Sequence, residues 1–261
     1  MIGLFLGDTD FSEIVLKKIK RLNKKYFIID FSKNNKFKKD KNSHRVSIGK
    51  FGKIINIIKK NKSKKVLFAG KIAKPKFSTL RLDLKGIYYM PSVIKAAKSG
   101  DAAIIKAIIK ILENENIKVI SSNFFNPELS LKTGNYTKLK PNTVDINSIK
   151  KGISYFNKLN SLDHIQALIV SDKKIIATEG NQGTKKMLSK LKKTYGGILI
   201  KLPKKKQDLR MDLPTIGLNT LKDCKKIGLK GIVLKSKKNI FLDKSKCINF
   251  ANRNKIFIKI I

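Results

Sequence analysis

Short apolar runs alternate with amphipathic stretches along the first half of this chain, and few folds satisfy that alternation. Ile2 to Leu6 reads as a buried strand, and Phe11 to Leu22 follows with Phe11, Ile14, Val15, Ile19 and Leu22 on one side of a helix. Tyr26 to Phe31 predicts a second strand. After a polar loop come a helix near Phe51 to Ile58 and the strand Val66 to Ala69. Gly100 breaks the helix before it, Asp101 stands where it can cap the helix Ala102 to Leu112, and Ile117 to Ile120 closes the half as a strand. Strand-helix-strand order predicts a parallel sheet covered on both faces. The expectation is an α/β protein whose N-terminal Rossmann-like domain occupies residues 1–130.

Periodicity fades between Ser121 and Asn147, where Asn126-Pro127, Gly134 and Pro141-Asn142 act as breakers. Residues 131–147 read as a linker and residues 148–261 as a mixed α/β domain. That domain opens with the helix Ile149 to Leu159. Ile165 to Val170 and Lys174 to Thr178, joined by Ser171-Asp172-Lys173, predict a hairpin. A glycine-flanked helix, the strand Ile198 to Leu202, a helix near Leu221, a hairpin near Ile232 and Phe241, a helix near Asn249 and the strand Ile256 to Ile260 complete it.

The 261 residues carry a formal charge of +41, which on its own suggests a polyanion partner. The kind of base argues otherwise. Arg21, Arg45, Arg81, Arg210 and Arg253 are the only arginines, so nearly all the charge is lysine, spread over the polar helix faces. Lysine, asparagine and isoleucine share A/T-rich codons, so base drift alone generates such a surface. Nucleic-acid readers enrich arginine for bidentate contacts, and no aromatic-studded basic sheet is present. No nucleic-acid partner is expected, although the field still attracts anionic substrates and lipids. Cys224 and Cys247 are too few and too far apart for a disulfide framework or a paired-ligand motif. His44 and His164 each stand alone, against a histidine-built zinc site or a catalytic triad. Asp8 and Asp10 interrupt any leader core, and no apolar run approaches ~20 residues, so the expected setting is reducing and cytoplasmic.

Arg210-Met211-Asp212-Leu213-Pro214-Thr215-Ile216-Gly217 carries the most chemistry. On an extended backbone Arg210 and Asp212 point the same way, while Pro214 stops the strand and Gly217 turns it toward the helix near Leu221. A guanidinium and a carboxylate would then stand at a strand mouth, either as a ligand site or as a plain ion pair. In Glu179-Gly180-Asn181-Gln182-Gly183-Thr184, glycines before a helix and a hydroxyl suit either an anion nest or ordinary capping. Gly70-Lys71 leaves the carboxyl end of a strand, where the lysine meets a phosphate or water. Gly3 to Asp10 lacks the dinucleotide fingerprint, and Gly49-Lys50-Phe51-Gly52-Lys53 is not a Walker loop but a loop into a helix.

Taken in order, these segments resemble one family, the UDP-2,3-diacylglucosamine pyrophosphatases of lipid A biosynthesis in the two-domain class without a metallophosphoesterase fold. The matching stretches are Gly49 to Lys53, Phe68 to Lys71, Met90-Pro91-Ser92, Ala96 to Asp101, Glu179 to Met187 and Gln207 to Gly217. The resemblance covers nearly the whole chain. It implies a hydrolase whose water attacks the α-phosphorus, giving UMP and 2,3-diacylglucosamine 1-phosphate, with Mg2+ assisting and the substrate lying between a Rossmann-like and a C-terminal catalytic domain. Asp212 maps onto the essential aspartate, with Glu179 as a second metal ligand; Gly70, Lys71, Asp101, Gly183, Thr184, Arg210 and Thr215 are the implied substrate-binding residues. The implied partners are the acylated UDP-sugar and the inner-leaflet surface, to which the protein would attach peripherally; homodimerisation stays open. The chain departs from the family pattern at Gln182 and Lys185, which replace two acids, at Ala102, which shortens an acidic doublet to Asp101, and at Gly7-Asp8-Thr9, which replaces a glycine-rich turn.

Overall fold

The computed structural model describes residues 1–159, 165–180, 182–194, 196–204 and 208–261, so His164, Asn181 and Gln207 lie outside the described residues. Two compact units divide the chain, Met1–Pro127 and Glu128–Ile261.

The first unit runs β1 (Ile2–Leu6), α1 (Asp10–Arg21), β2 (Tyr26–Asp30), β3 (Ser43–Arg45), α2 (Phe51–Lys60), β4 (Lys65–Ala69), α3 (Leu84–Lys98), α4 (Asp101–Asn114) and β5 (Lys118–Val119). Its sheet is parallel throughout, in the order β3-β2-β1-β4-β5 of doubly wound folds. After their first residues strands β1 and β4 are buried throughout, as in a parallel sheet covered on both faces. Their carboxyl ends are tied by Ser12, whose Oγ lies 2.9 Å from the Gly7 carbonyl and 2.8 Å from that of Ala69. Gly70 turns the chain away at φ +84°, and a Cβ there would sit 2.1 Å from Ser12 Oγ.

Asp83 joins α2 to α3. Its carboxylate accepts from Gly86 N at the start of α3 and from Gly52 N and Lys53 N at the start of α2, satisfying amide donors that both helices leave unpaired. Burial pushes this carboxyl up, and the three amides more than offset that, leaving its pKa lowered. The Gly49–Lys53 segment is a loop into a helix, as expected.

The second unit runs β6 (Gly134–Asn135), α5 (Thr143–Lys158), β7 (Ala167–Ser171), β8 (Lys174–Thr178), α6 (Gly183–Lys190), β9 (Ile198–Lys201), β10 (Thr215–Ile216), α7 (Leu218–Lys226), β11 (Gly231–Leu234), β12 (Ile240–Phe241), α8 (Lys244–Arg253) and β13 (Phe257–Ile260). Six strands form a mixed sheet, β6-β13-β11-β9-β7-β8, parallel through β13, β11 and β9 and antiparallel elsewhere. Alternation along its strands separates two cores. Ala167, Ile169, Leu199 and Ile232 face Met187 and Leu188 of α6, Leu221 and Cys224 of α7 and Cys247 of α8. Leu168, Val170, Ile198, Ile200 and Val233 face Ile149 and Phe156 of α5.

Two expectations change here. Residues 131–147 are not a linker: Leu131 is in the core, β6 pairs with β13, and Asn142 with Asp145 forms a capping box for α5. Ile232 and Phe241 do not share a hairpin, because β11 lies between β9 and β13, and β12 pairs with β10 in a separate parallel pair. All four residues of β11 are buried, which a two-stranded ribbon does not provide.

Candidate functional site

One row of the second sheet ends its apolar face with charge. Lys201 closes β9 opposite Ala167, and Glu179, the residue after β8, donates its backbone N–H to the Ala167 carbonyl. Directly opposed residues in antiparallel pairs project to one face, so Glu179, Ala167 and Lys201 share the face of α6 and α7. Ala167 is only a methyl group, so both long side chains have room above it. Lys201 Nζ lies 3.3 Å from the Thr215 carbonyl. Burial pushes its pKa down, against the opposing charges of Glu179 and Asp212.

Glu179 is buried at 7% exposure, and its oxygens are held individually. Oε1 accepts from Thr184 Oγ1 at 2.8 Å, and Oε2 accepts from Gln166 N at 2.9 Å. Gly183 begins α6 at φ +83° and donates its N–H to the Gly180 carbonyl at 3.0 Å. Gln182 is the N-cap of α6 and makes no side-chain cap hydrogen bond; the hydroxyl of Thr184 goes to Glu179 instead.

Asp212 follows a turn and does not lie on a strand. Asp208 accepts from the Arg210 backbone N–H at 3.0 Å, an aspartate-driven turn, and also takes the Arg210 guanidinium, with Nε to Oδ1 at 3.0 Å and Nη2 to Oδ2 at 2.8 Å. Met211 N and Asp212 N then both donate to the Asp208 carbonyl, at 3.2 and 3.1 Å. The expected pairing of Arg210 with Asp212 on an extended backbone is therefore corrected: the guanidinium is clamped to Asp208. The short extended piece comes after Pro214, as β10, where Thr215 Oγ1 donates to the Leu213 carbonyl at 3.0 Å.

In the second unit Lys201 thus donates to the Thr215 carbonyl and feels the charges of Glu179 and Asp212, while Thr184 bonds Glu179 and Arg210 lies on the same turn as Asp212. Gly70, Lys71 and Asp101 belong to the first unit. There the Lys71 carbonyl accepts from Asp8 N at 2.8 Å and its side chain is exposed. Asp101 does not cap α4; Gly100 is the N-cap, and Asp101 is the first helical residue, 82% exposed in its side chain and 3.9 Å from Lys74 Nζ. Sequence reasoning passed over Lys201 as one lysine in a chain full of them. Its signal was position: it ends the run Ile198-Leu199-Ile200 on the face that Leu199 buries.

Among the described residues, no three His, Cys, Asp or Glu side chains group to hold a metal ion. A divalent ion held by one carboxylate together with substrate phosphates needs no such cluster. Glu179, with an N–H or O–H on each oxygen, is arranged as an acceptor facing Lys201.

Residues 1–129 match the family model described as the LpxI N-terminal domain, and residues 132–259 the one described as the LpxI C-terminal domain. The UDP-2,3-diacylglucosamine pyrophosphatase LpxI of Caulobacter vibrioides is 30% identical over 223 residues, which span 82% of this chain and 80% of that protein. Matched along both of its units, the chain belongs to the LpxI family.

Proposed function

We propose that this chain hydrolyses the diphosphate of UDP-2,3-diacylglucosamine in lipid A synthesis, with water attacking the α-phosphorus to release UMP and 2,3-diacylglucosamine 1-phosphate. The observation that carries the reading is Asp212, brought by the Asp208 turn within electrostatic reach of Lys201 in the unit that matches the family's C-terminal domain. A diphosphate repels an approaching nucleophile, so hydrolysis needs cations on its oxygens and an acceptor that orients water. Lys201 supplies a partly desolvated cation, and its attraction for a phosphate oxygen is stronger there than in open water. Asp212 orients the attacking water and takes its proton. Glu179, locked by Thr184 and Gln166, sets an opposing charge in the same row as Lys201. Mg2+ bound through Asp212 would add neutralisation of the diphosphate charge. The acylated substrate puts the enzyme at the cytoplasmic face of the inner membrane.

Phosphorus NMR of the reaction in oxygen-18 water tests this. Label on UMP is the expected result, together with loss of turnover in Asp212→Asn. Label on the sugar phosphate places the attack on the other phosphorus, and full turnover by Asp212→Asn removes the reading.

A further inference from the structure

Helix α3 wears its apolar stripe on the outside. Leu84 is 87% exposed, Tyr88 78%, Ile87 59% and Ile94 39%, and Pro91 between them is exposed as well. These positions fall at i, i+3, i+4, i+7 and i+10, one face of a helix at 100° per residue. The opposite face, Gly86, Met90 and Val93, is buried, with Met90 and Val93 packed beside Phe51 and Ile111. The helix is therefore already seated in the first unit through one side, and the second apolar side faces water. Single exposed hydrophobic residues are ordinary; a continuous stripe on one helix marks an interaction surface.

What surrounds the stripe selects its partner. Lys74, Lys76 and Arg81 are exposed just before the helix, and Lys95 and Lys98 are exposed in its last turn, on the same face as the stripe. Asp83 is the one acid between Lys76 and Lys98, and its oxygens are occupied by amides of α2 and α3; Lys74 has the exposed Asp101 at 3.9 Å. An apolar strip with cations at both ends fits a surface that offers hydrocarbon and negative charge together. A second copy of this chain offers the hydrocarbon but brings the same cations, within a net charge of +41. An anionic bilayer offers both, and lysine stems lie along the apolar boundary while their ammonium groups reach phosphates. The helix lies on such a surface and does not cross it: no described helix is long and apolar enough to span a membrane.

We propose that the outer face of α3 is a membrane-docking surface, with Leu84, Ile87, Tyr88 and Ile94 entering the headgroup boundary of an anionic bilayer and Lys74, Lys76, Arg81, Lys95 and Lys98 against its phosphates. The surface stands whether or not the protein hydrolyses a diphosphate, and the assay that tests it contains no UDP-sugar.

The chain has no tryptophan, so Tyr88→Trp places a single reporter in the stripe of the full-length protein. On equimolar phosphatidylglycerol and phosphatidylcholine vesicles its emission should move to shorter wavelength and be quenched by brominated acyl chains. Pure phosphatidylcholine should give a far smaller response. Adding Leu84→Ser and Ile87→Ser should weaken partitioning roughly a hundredfold. Lys95→Gln with Lys98→Gln, which leaves the apolar stripe whole, should weaken it about tenfold or more and reduce its salt dependence. The proposal is overturned if anionic vesicles leave the emission unchanged. It is equally overturned if binding occurs without quenching by the brominated chains, or if both variants bind like the parent. A concentration-dependent dimer that Leu84→Ser and Ile87→Ser dissolve, with no vesicle binding, would assign the face to a second copy instead.

Discussion

Lys201 and Glu179 occupy one row of the second sheet, on either side of Ala167. The pair is what remains of an otherwise apolar face at the point where Asp212 and Thr215 arrive, and it gives the charge at this edge a fixed geometry. If Lys201 acts on the diphosphate as proposed, Lys201→Met should lower kcat roughly a hundredfold while KM stays within about threefold. Release of UMP from UDP-2,3-diacylglucosamine measures this. Unchanged turnover in the folded variant would make the row structural only.

Thr184 spends its hydroxyl on Glu179 Oε1 in a buried setting. Thr184→Val keeps the shape and leaves that oxygen short of a donor, at a cost of about 1–3 kcal/mol. Thr184→Ser should recover most of the loss. Urea denaturation midpoints of the three proteins, compared at a common slope, decide the point.

Gly70 is held in the left-handed region, and a methyl group there would meet Ser12 Oγ, which sits beside the Gly7 and Ala69 carbonyls. Gly70→Ala therefore combines backbone strain with displacement of a buried hydroxyl, and a loss of about 3 kcal/mol is expected. Gly100, at φ +107° with open space where its Cβ would be, is the control. Gly100→Ala should cost only backbone strain, about 1–3 kcal/mol, because φ +107° with ψ 175° is a region that glycine almost alone populates. A thermal melt of both variants separates the two contributions.

The fold of the first unit was legible because each of its longer strands is an unbroken apolar run between helical stretches, a pattern with one parallel solution. Residues 131–147 were not, because β6 is two residues long and its partner β13 lies far along the chain, where local periodicity carries no information. The 208–213 turn was missed for a subtler reason. A spacing of two brings Arg210 beside Asp212 on a strand and equally brings it to Asp208 in a turn, and only the aspartate's bond to the Arg210 amide selects the turn. Nothing in local spacing marks Lys201 among 54 lysines; the sheet register alone sets it beside Ala167.

Glu115, at the C-cap of α4, binds three side chains from two other helices: Lys85 and Tyr89 of α3 and Lys59 of α2, the last at 2.9 Å. Burial alone would push its carboxyl up, but the bonds from Lys85, Lys59 and Tyr89 outweigh it and hold the pKa down to about 2, against 4.5 for the free group. A carboxyl lowered by folding stabilises the folded state fully above its unfolded pKa, and that share disappears as pH falls from 4.5 toward 2. Lys59 and Lys85 are half exposed, at 57% and 41%, so water screens part of the effect and the share at neutral pH is about 1–2 kcal/mol. Wild type and Glu115→Gln should differ by that amount at pH 7 and converge across the acid window. Parallel denaturation curves at a series of pH values measure the convergence, and a gap that persists at pH ~2 would show that packing, not charge, ties α4 to its neighbours.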